Sequence, residues 1–126
     1  ISKWTDSMKN SLQCKIYGDG KAVRDFCYIG DLCELFGILI ENRKSSGIYN
    51  FSTNKPCEIE RLFFVLIEIF DKNGFNVKFK RPIFLDERKG EIKVSYGDNT
   101  MLKSDFGFSP KIDLKTGLNK LLHLQW

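Results

Sequence analysis

The stretch from residue 58 to 71 constrains this chain more than any other. Ile59, Leu62, Phe63, Leu66, Ile67 and Phe70 recur at the spacing of one helical face. Phe64, Val65 and Ile69 widen that face beyond the stripe an ordinary surface helix presents. Such a helix must be covered on more than one side, so other elements have to close around it. The chain has 126 residues, which suits one domain and leaves no room for two. At this size roughly two-thirds of the unfolded surface can be buried, and 42% hydrophobic content with eleven phenylalanines supplies the material.

The other segments arrange themselves around that helix. Residues 1 to 12 read as an amphipathic helix, with Trp4, Met8 and Leu12 at helical spacing. The chain has no initiator methionine and its pattern starts at once, as if it began inside an element. Lys15-Ile16-Tyr17 reads as a short strand stopped at Gly18-Asp19-Gly20, since glycine accepts positive φ without steric cost. Phe26 to Ile29 reads as a second strand. Asp31 is the expected N-cap of a helix running to about Lys44, with Glu34 as its capping-box partner. Ile48 to Phe51 is strand-like, Val77 to Lys80 alternates as an edge strand closed by Pro82, and Asp86 to Tyr96 is a loop. A short helix over Thr100 to Phe106 ends at Gly107, and a last one starts after Asp113 with Leu114, Leu118, Leu121 and Leu122 inward. The expected class is α/β, with helices packed on a few short strands and no complete doubly wound sheet.

Several functions are disfavoured. The net charge of +4 is spread without a run of five or six lysines, so a nucleic-acid surface is not expected. Cysteines 14, 27, 33 and 57 form no C-x-x-C pair and the single histidine, His123, is distant, which argues against zinc. Cys27 and Cys33 sit among apolar residues, as buried free thiols would. No signal peptide or membrane-length apolar run is visible, so a cytoplasmic location is expected.

Four stretches, in order, carry chemistry. They are Ile16-Tyr17-Gly18-Asp19-Gly20 followed by Arg24-Asp25-Phe26 and Asp31; Gly47-Ile48-Tyr49-Asn50; Arg88-Lys89-Gly90-Glu91 with Tyr96 and Asp98; and Phe106-Gly107-Phe108-Ser109-Pro110 with Gly117-Leu118. Together they resemble the extended short-chain dehydrogenase/reductase family, in particular its NAD-dependent sugar-nucleotide epimerases and dehydratases, of which UDP-glucose 4-epimerase is an example. The resemblance covers nearly the whole chain. It implies that residues 1–126 are the small C-terminal nucleotide-sugar-binding lobe, with the Rossmann domain absent.

The resemblance also implies roles. Arg24 and Arg88, 64 residues apart, would grip the diphosphate of a UDP- or dTDP-sugar. A guanidinium fork fits such oxygens in pairs, and each charge-assisted bond contributes about 1.5–3 kcal/mol. Tyr17 would lie against the base and Glu91 would accept from a ribose hydroxyl. Tyr96 would lie near the nucleotide, with Ser95 equally placed by counting. Ser52, Cys57 and Glu58 depart from the family pattern, as does Gly30.

The parts that perform hydride chemistry are missing from the sequence. No G-x-x-G-x-x-G occurs, and the Tyr17-to-Lys21 spacing straddles the Gly-Asp-Gly turn instead of forming the catalytic Tyr-x-x-x-Lys pair. NAD is therefore expected in the parent enzyme, bound by the absent N-terminal domain, with no cofactor or catalytic residue on this chain. Taken alone it should be inactive. The competing expectations are a 4,6-dehydratase or decarboxylating lobe, and a non-catalytic binding module that keeps the fold. A face left bare by a missing domain would invite self-association.

Overall fold

A computed structural model describes residues 1–42 and 46–123. The helices are α1 (Ser2–Lys9), α2 (Ile29–Glu41), α3 (Ile59–Lys72), α4 (Thr100–Phe106) and α5 (Leu114–His123). Between them lie β1 (Lys15–Tyr17), β2 (Val23–Arg24), β3 (Cys57–Glu58), β4 (Ile83–Leu85) and β5 (Val94–Ser95). β1 and β4 pair in parallel, and a second sheet has the order β3-β2-β5. In it β2 runs antiparallel to β3 and parallel to β5.

The broad apolar face of α3 is at the centre, as its composition requires. Leu62, Phe63, Leu66, Ile67, Ile69 and Phe70 are buried, and Met8, Ile16, Leu118 and Leu122 from α1, β1 and α5 close over them. Phe63 and Phe70 are fully buried, and each such side chain contributes about 1.5–3 kcal/mol. Trp4 meets Phe63 edge-on at 5.6 Å and donates its indole N–H to the Lys15 carbonyl at 3.0 Å, which fixes α1 to both the core and β1. Phe64 points the other way and is 43% exposed. A smaller cluster joins Leu35, Leu102 and Phe108 with Tyr49, Phe51 and Phe106.

The Gly-Asp-Gly turn joins these layers. Gly18 and Gly20 have φ of 72° and 76°. A Cβ on Gly20 would stand 3.0 Å from the Glu60 Cβ, so the turn can approach α3 only with glycine there. That approach lets the Ala22 and Gly20 carbonyls accept the Ile59 and Glu60 amides at 2.9 Å each, satisfying donors that the start of a helix leaves free.

The structure corrects several sequence expectations. The first helix stops at Lys9, three residues early. The second strand is Val23–Arg24; Phe26 to Tyr28 are irregular and Ile29 already begins α2. Asp31 is not the N-cap of α2, a position held by Tyr28 without a side-chain bond. Its buried carboxylate accepts instead the Lys111 and Ile112 amides at 3.1 and 3.0 Å, and Glu34 pairs with Lys111. α2 ends at Glu41; the expected end near Lys44 lies outside the described residues. Ile48 to Phe51 forms no strand, and Ile48 is 93% exposed because no partner strand runs beside it. Val77 is buried but Val77 to Lys80 is not a strand. Pro82 precedes β4 instead of closing a strand. The Asp86-to-Tyr96 loop contains the two residues of β5.

Candidate nucleotide-binding site

β2 carries Arg24 into the middle of the three-stranded sheet. Its Nη1 donates to the Val23 carbonyl at 2.8 Å, and its Nη2 lies 2.9 Å from Glu91 Oε1. Both side chains of this pair are about 30% accessible, so the ion pair is half-buried and more than a surface accident. Glu91 closes a turn whose first residue is Arg88, its amide donating to the Arg88 carbonyl at 3.1 Å. Gly90 within that turn has a φ of 80°, which a side chain would strain. The 88–91 turn is thereby fastened to β2.

The other end of the turn is fastened to β1. The Arg88 guanidinium lies 3.7 Å from the centroid of the Tyr17 ring, a cation–π contact. Hydrogen bonding to Arg88, followed by its charge, pulls the Tyr17 phenol below its ordinary pKa. The structure therefore brings Arg24, Glu91, Arg88 and Tyr17 into one continuous chain of contacts. Glu91 faces Arg24 in this state. Tyr96 is exposed beyond β5, and the register sets Ser95, one residue earlier, opposite Arg24. Arg24, Arg88, Tyr17, Glu91 and Tyr96 line neither the groove beside Arg61 nor the one along α5.

Asp25 does not pair with its neighbour Arg24. Its carboxylate accepts the Ser52 hydroxyl at 2.5 Å, the Thr53 and Asn54 amides at 2.9 and 3.1 Å, and the Thr53 hydroxyl. Ser52 is buried, its Oγ also lies 2.7 Å from the Gly97 carbonyl oxygen, and Asn99 Nδ2 donates to the Ser52 carbonyl at 2.7 Å. This hub ties Arg-Asp-Phe to the segment after Tyr49-Asn50 and to the segment after Tyr96. Sequence reading missed it; the only signal was serine at a position the family resemblance fills with glycine. With Asp25 so engaged, Arg24 is left to Glu91 or to a ligand.

Three of the four thiols are withdrawn from solvent. Cys14 and Cys57 are buried, Cys27 is half-buried, and burial raises the pKa of all three. Cys33 is exposed, contrary to expectation, because it lies on the outer face of α2. Among the described residues no group of His, Cys, Asp and Glu could hold a metal, and no helix is long and apolar enough to cross a membrane.

Residues 1–52 match the model of the NAD dependent epimerase/dehydratase family. In fold, the chain superposes on the UDP-glucose 4-epimerase of Thermotoga maritima, solved with UDP-glucose, with a TM-score of 0.80 and 28% identity over 96% of this chain. The chain is thus similar to members of the NAD dependent epimerase/dehydratase family. A second epimerase structure, the UDP-N-acetylglucosamine 4-epimerase of Methanobrevibacter ruminantium with UDP-N-acetylmuramic acid, gives a TM-score of 0.83 and 27% identity over 95% of the chain. UDP-glucuronate 4-epimerase 5 of Arabidopsis thaliana is 28% identical over 116 residues, 82% of the chain. The chain spans 37% and 36% of the two solved epimerases and 26% of the plant enzyme. The α/β class read from the sequence is the fold these epimerases share with it.

Proposed function

We propose that residues 1–126 are the nucleotide-sugar-binding portion of an NAD-dependent sugar-nucleotide epimerase, one that acts on a UDP-sugar at C4. The diphosphate would lie between Arg24 and Arg88. The observation that supports this most is the Arg24–Glu91 pair, which ties β2 to the turn bearing Arg88. A phosphate oxygen is an oxyanion like the Glu91 carboxylate. It can take the place of Glu91 on Arg24 without loss of the charge-assisted bond, and the displaced Glu91 is then available to a ribose hydroxyl. Tyr17, already held flat under a guanidinium, offers its other face or edge to a base.

A nicotinamide cofactor, when bound, takes and returns the hydride in this family's chemistry. The residues present do not fit that group. The sequence has no glycine-rich dinucleotide loop. Tyr17 ends β1 and Lys21 follows the turn, so their four-residue spacing does not place them on one helical face, and the Tyr17 ring is covered by Arg88. This chain's own contribution is binding and orientation, and alone it would be inactive. A 4,6-dehydratase would use the same diphosphate clamp, and its distinguishing acid and base would lie outside these residues. Self-association of the isolated chain would use the outer face of α2, where Ile29, Phe36 and Ile40 are 62%, 54% and 76% exposed.

The direct test is Arg24→Ala in the full-length protein. The KM for UDP-sugar is expected to rise tenfold or more, the equivalent of about 1.4 kcal/mol for one lost phosphate bond. An unchanged KM in a folded variant would remove Arg24 from the site.

A further inference from the structure

A groove of about 530 Å³ runs between the 53–57 loop, the start of α3 and the segment entering α5. It carries four cations, Lys55, Arg61, Lys111 and Lys115, and two carboxylates, Glu68 and Asp113. Both carboxylates are engaged. Glu68 accepts from Lys115 at 2.9 Å, and Asp113 accepts the Thr116 amide and hydroxyl at 2.8 and 3.0 Å. Lys111 is held by Glu34. Among the described residues, the Lys55 ammonium and the Arg61 guanidinium have no hydrogen-bond or ion-pair partner. Both line the groove together with the apolar Phe26, Phe64 and Leu114.

That apolar lining continues. A second groove of about 230 Å³ shares Phe26, Ile112, Asp113 and Leu114 with the first and extends along α5 past Gly117 to Leu121. A Cβ on Gly117 would sit 3.4 Å from the Tyr28 ring, in ordinary van der Waals contact. The lining changes along its length from cationic to almost wholly apolar.

We propose that this bipartite groove binds an amphipathic organic anion, with its oxyanion head between Lys55 and Arg61 and its apolar body along Phe26, Leu114 and Leu121. Two cations without a hydrogen-bond or ion-pair partner, Lys55 feeling only the Coulomb field of Asp113, stand beside an apolar wall and select for such a molecule. The guanidinium and ammonium bond an oxyanion, and the wall removes the tail from water, whereas a cationic head of the same tail would meet repulsion. The site is separate from the Arg24–Arg88 cluster, none of whose residues line either groove.

The test titrates the unaltered chain by calorimetry with decanoate and, separately, with decylammonium. Decanoate is expected to saturate a single site and decylammonium to bind at least tenfold more weakly. Equal binding of the two would overturn the proposal. Lys55→Glu with Arg61→Glu, both at exposed partnerless positions, is expected to weaken decanoate at least tenfold. Phe36→Ser on the bare face of α2 is expected to leave it unchanged. Decanoate binding that survives the double reversal, or that is lost in Phe36→Ser, would place the ligand elsewhere. UDP is expected not to displace decanoate, and displacement would contradict a separate site.

Discussion

Arg24 Nη2 and Glu91 Oε1 lie 2.9 Å apart although 67 residues separate them in the chain. This contact makes the candidate site a single object. Through it β2 holds the 88–91 turn, and through Arg88 that turn holds Tyr17 of β1.

The Arg88–Tyr17 contact has a spectroscopic consequence. Because Arg88 depresses the Tyr17 phenol, Tyr17 should ionise below the ordinary tyrosine range in an ultraviolet titration. The signal is assigned by its loss in Tyr17→Phe, and Arg88→Gln should move it upward. The sign for stability follows from linkage. With its pKa lower folded than unfolded, Tyr17 adds stability only as pH rises past its folded value, so alkaline unfolding should come earlier in Arg88→Gln. Identical titration curves in the two proteins would contradict the contact.

Asp25 should matter for folding more than for ligand binding. It accepts bonds from Ser52, Thr53 and Asn54, and Ser52 is buried. Asp25→Asn turns one acceptor oxygen into a donor facing other donors. A loss of about 2–3 kcal/mol in urea unfolding is expected, from buried groups left unsatisfied. Ser52→Ala should cost about 1–2 kcal/mol by the same reasoning. A loss under half a kilocalorie in both variants would mean the hub is solvated.

The exposed stripe on α2 leads to a third expectation. Phe36→Ser with Ile40→Ser should lower the weight-average mass seen by sedimentation if the isolated chain associates through this face. Association unaffected by both changes would move the contact to another surface.

The parts of this fold legible in the sequence were those set by local pattern. α3 was readable because its apolar period is strong, Gly107 because its φ of 64° suits a helix terminus, and Gly18 and Gly20 because a turn needs them. What was not legible depends on partners distant in sequence. Asp31 has the look of an N-cap, yet its oxygen is taken by amides 80 and 81 residues away. Ile48 to Phe51 has strand composition, but a strand forms only where a neighbour supplies the ladder, and none is present among the described residues. In the site, Arg24, Arg88 and Tyr17 were named from motif, whereas the role of Glu91 as partner of Arg24 needed coordinates. The Asp25 hub was invisible because serine, threonine and asparagine in a loop suggest only a turn.

The measurement closest to the centre of this account is calorimetric titration of UDP into the full-length protein and into this chain, each with and without Arg24→Ala. UDP is expected to bind the full-length protein, to bind this chain weakly, and to lose about tenfold in affinity with Arg24→Ala in the full-length protein, while NAD gives no heat with the isolated chain. UDP affinity untouched by Arg24→Ala in a folded full-length protein, or tight NAD binding by the isolated chain, would contradict it.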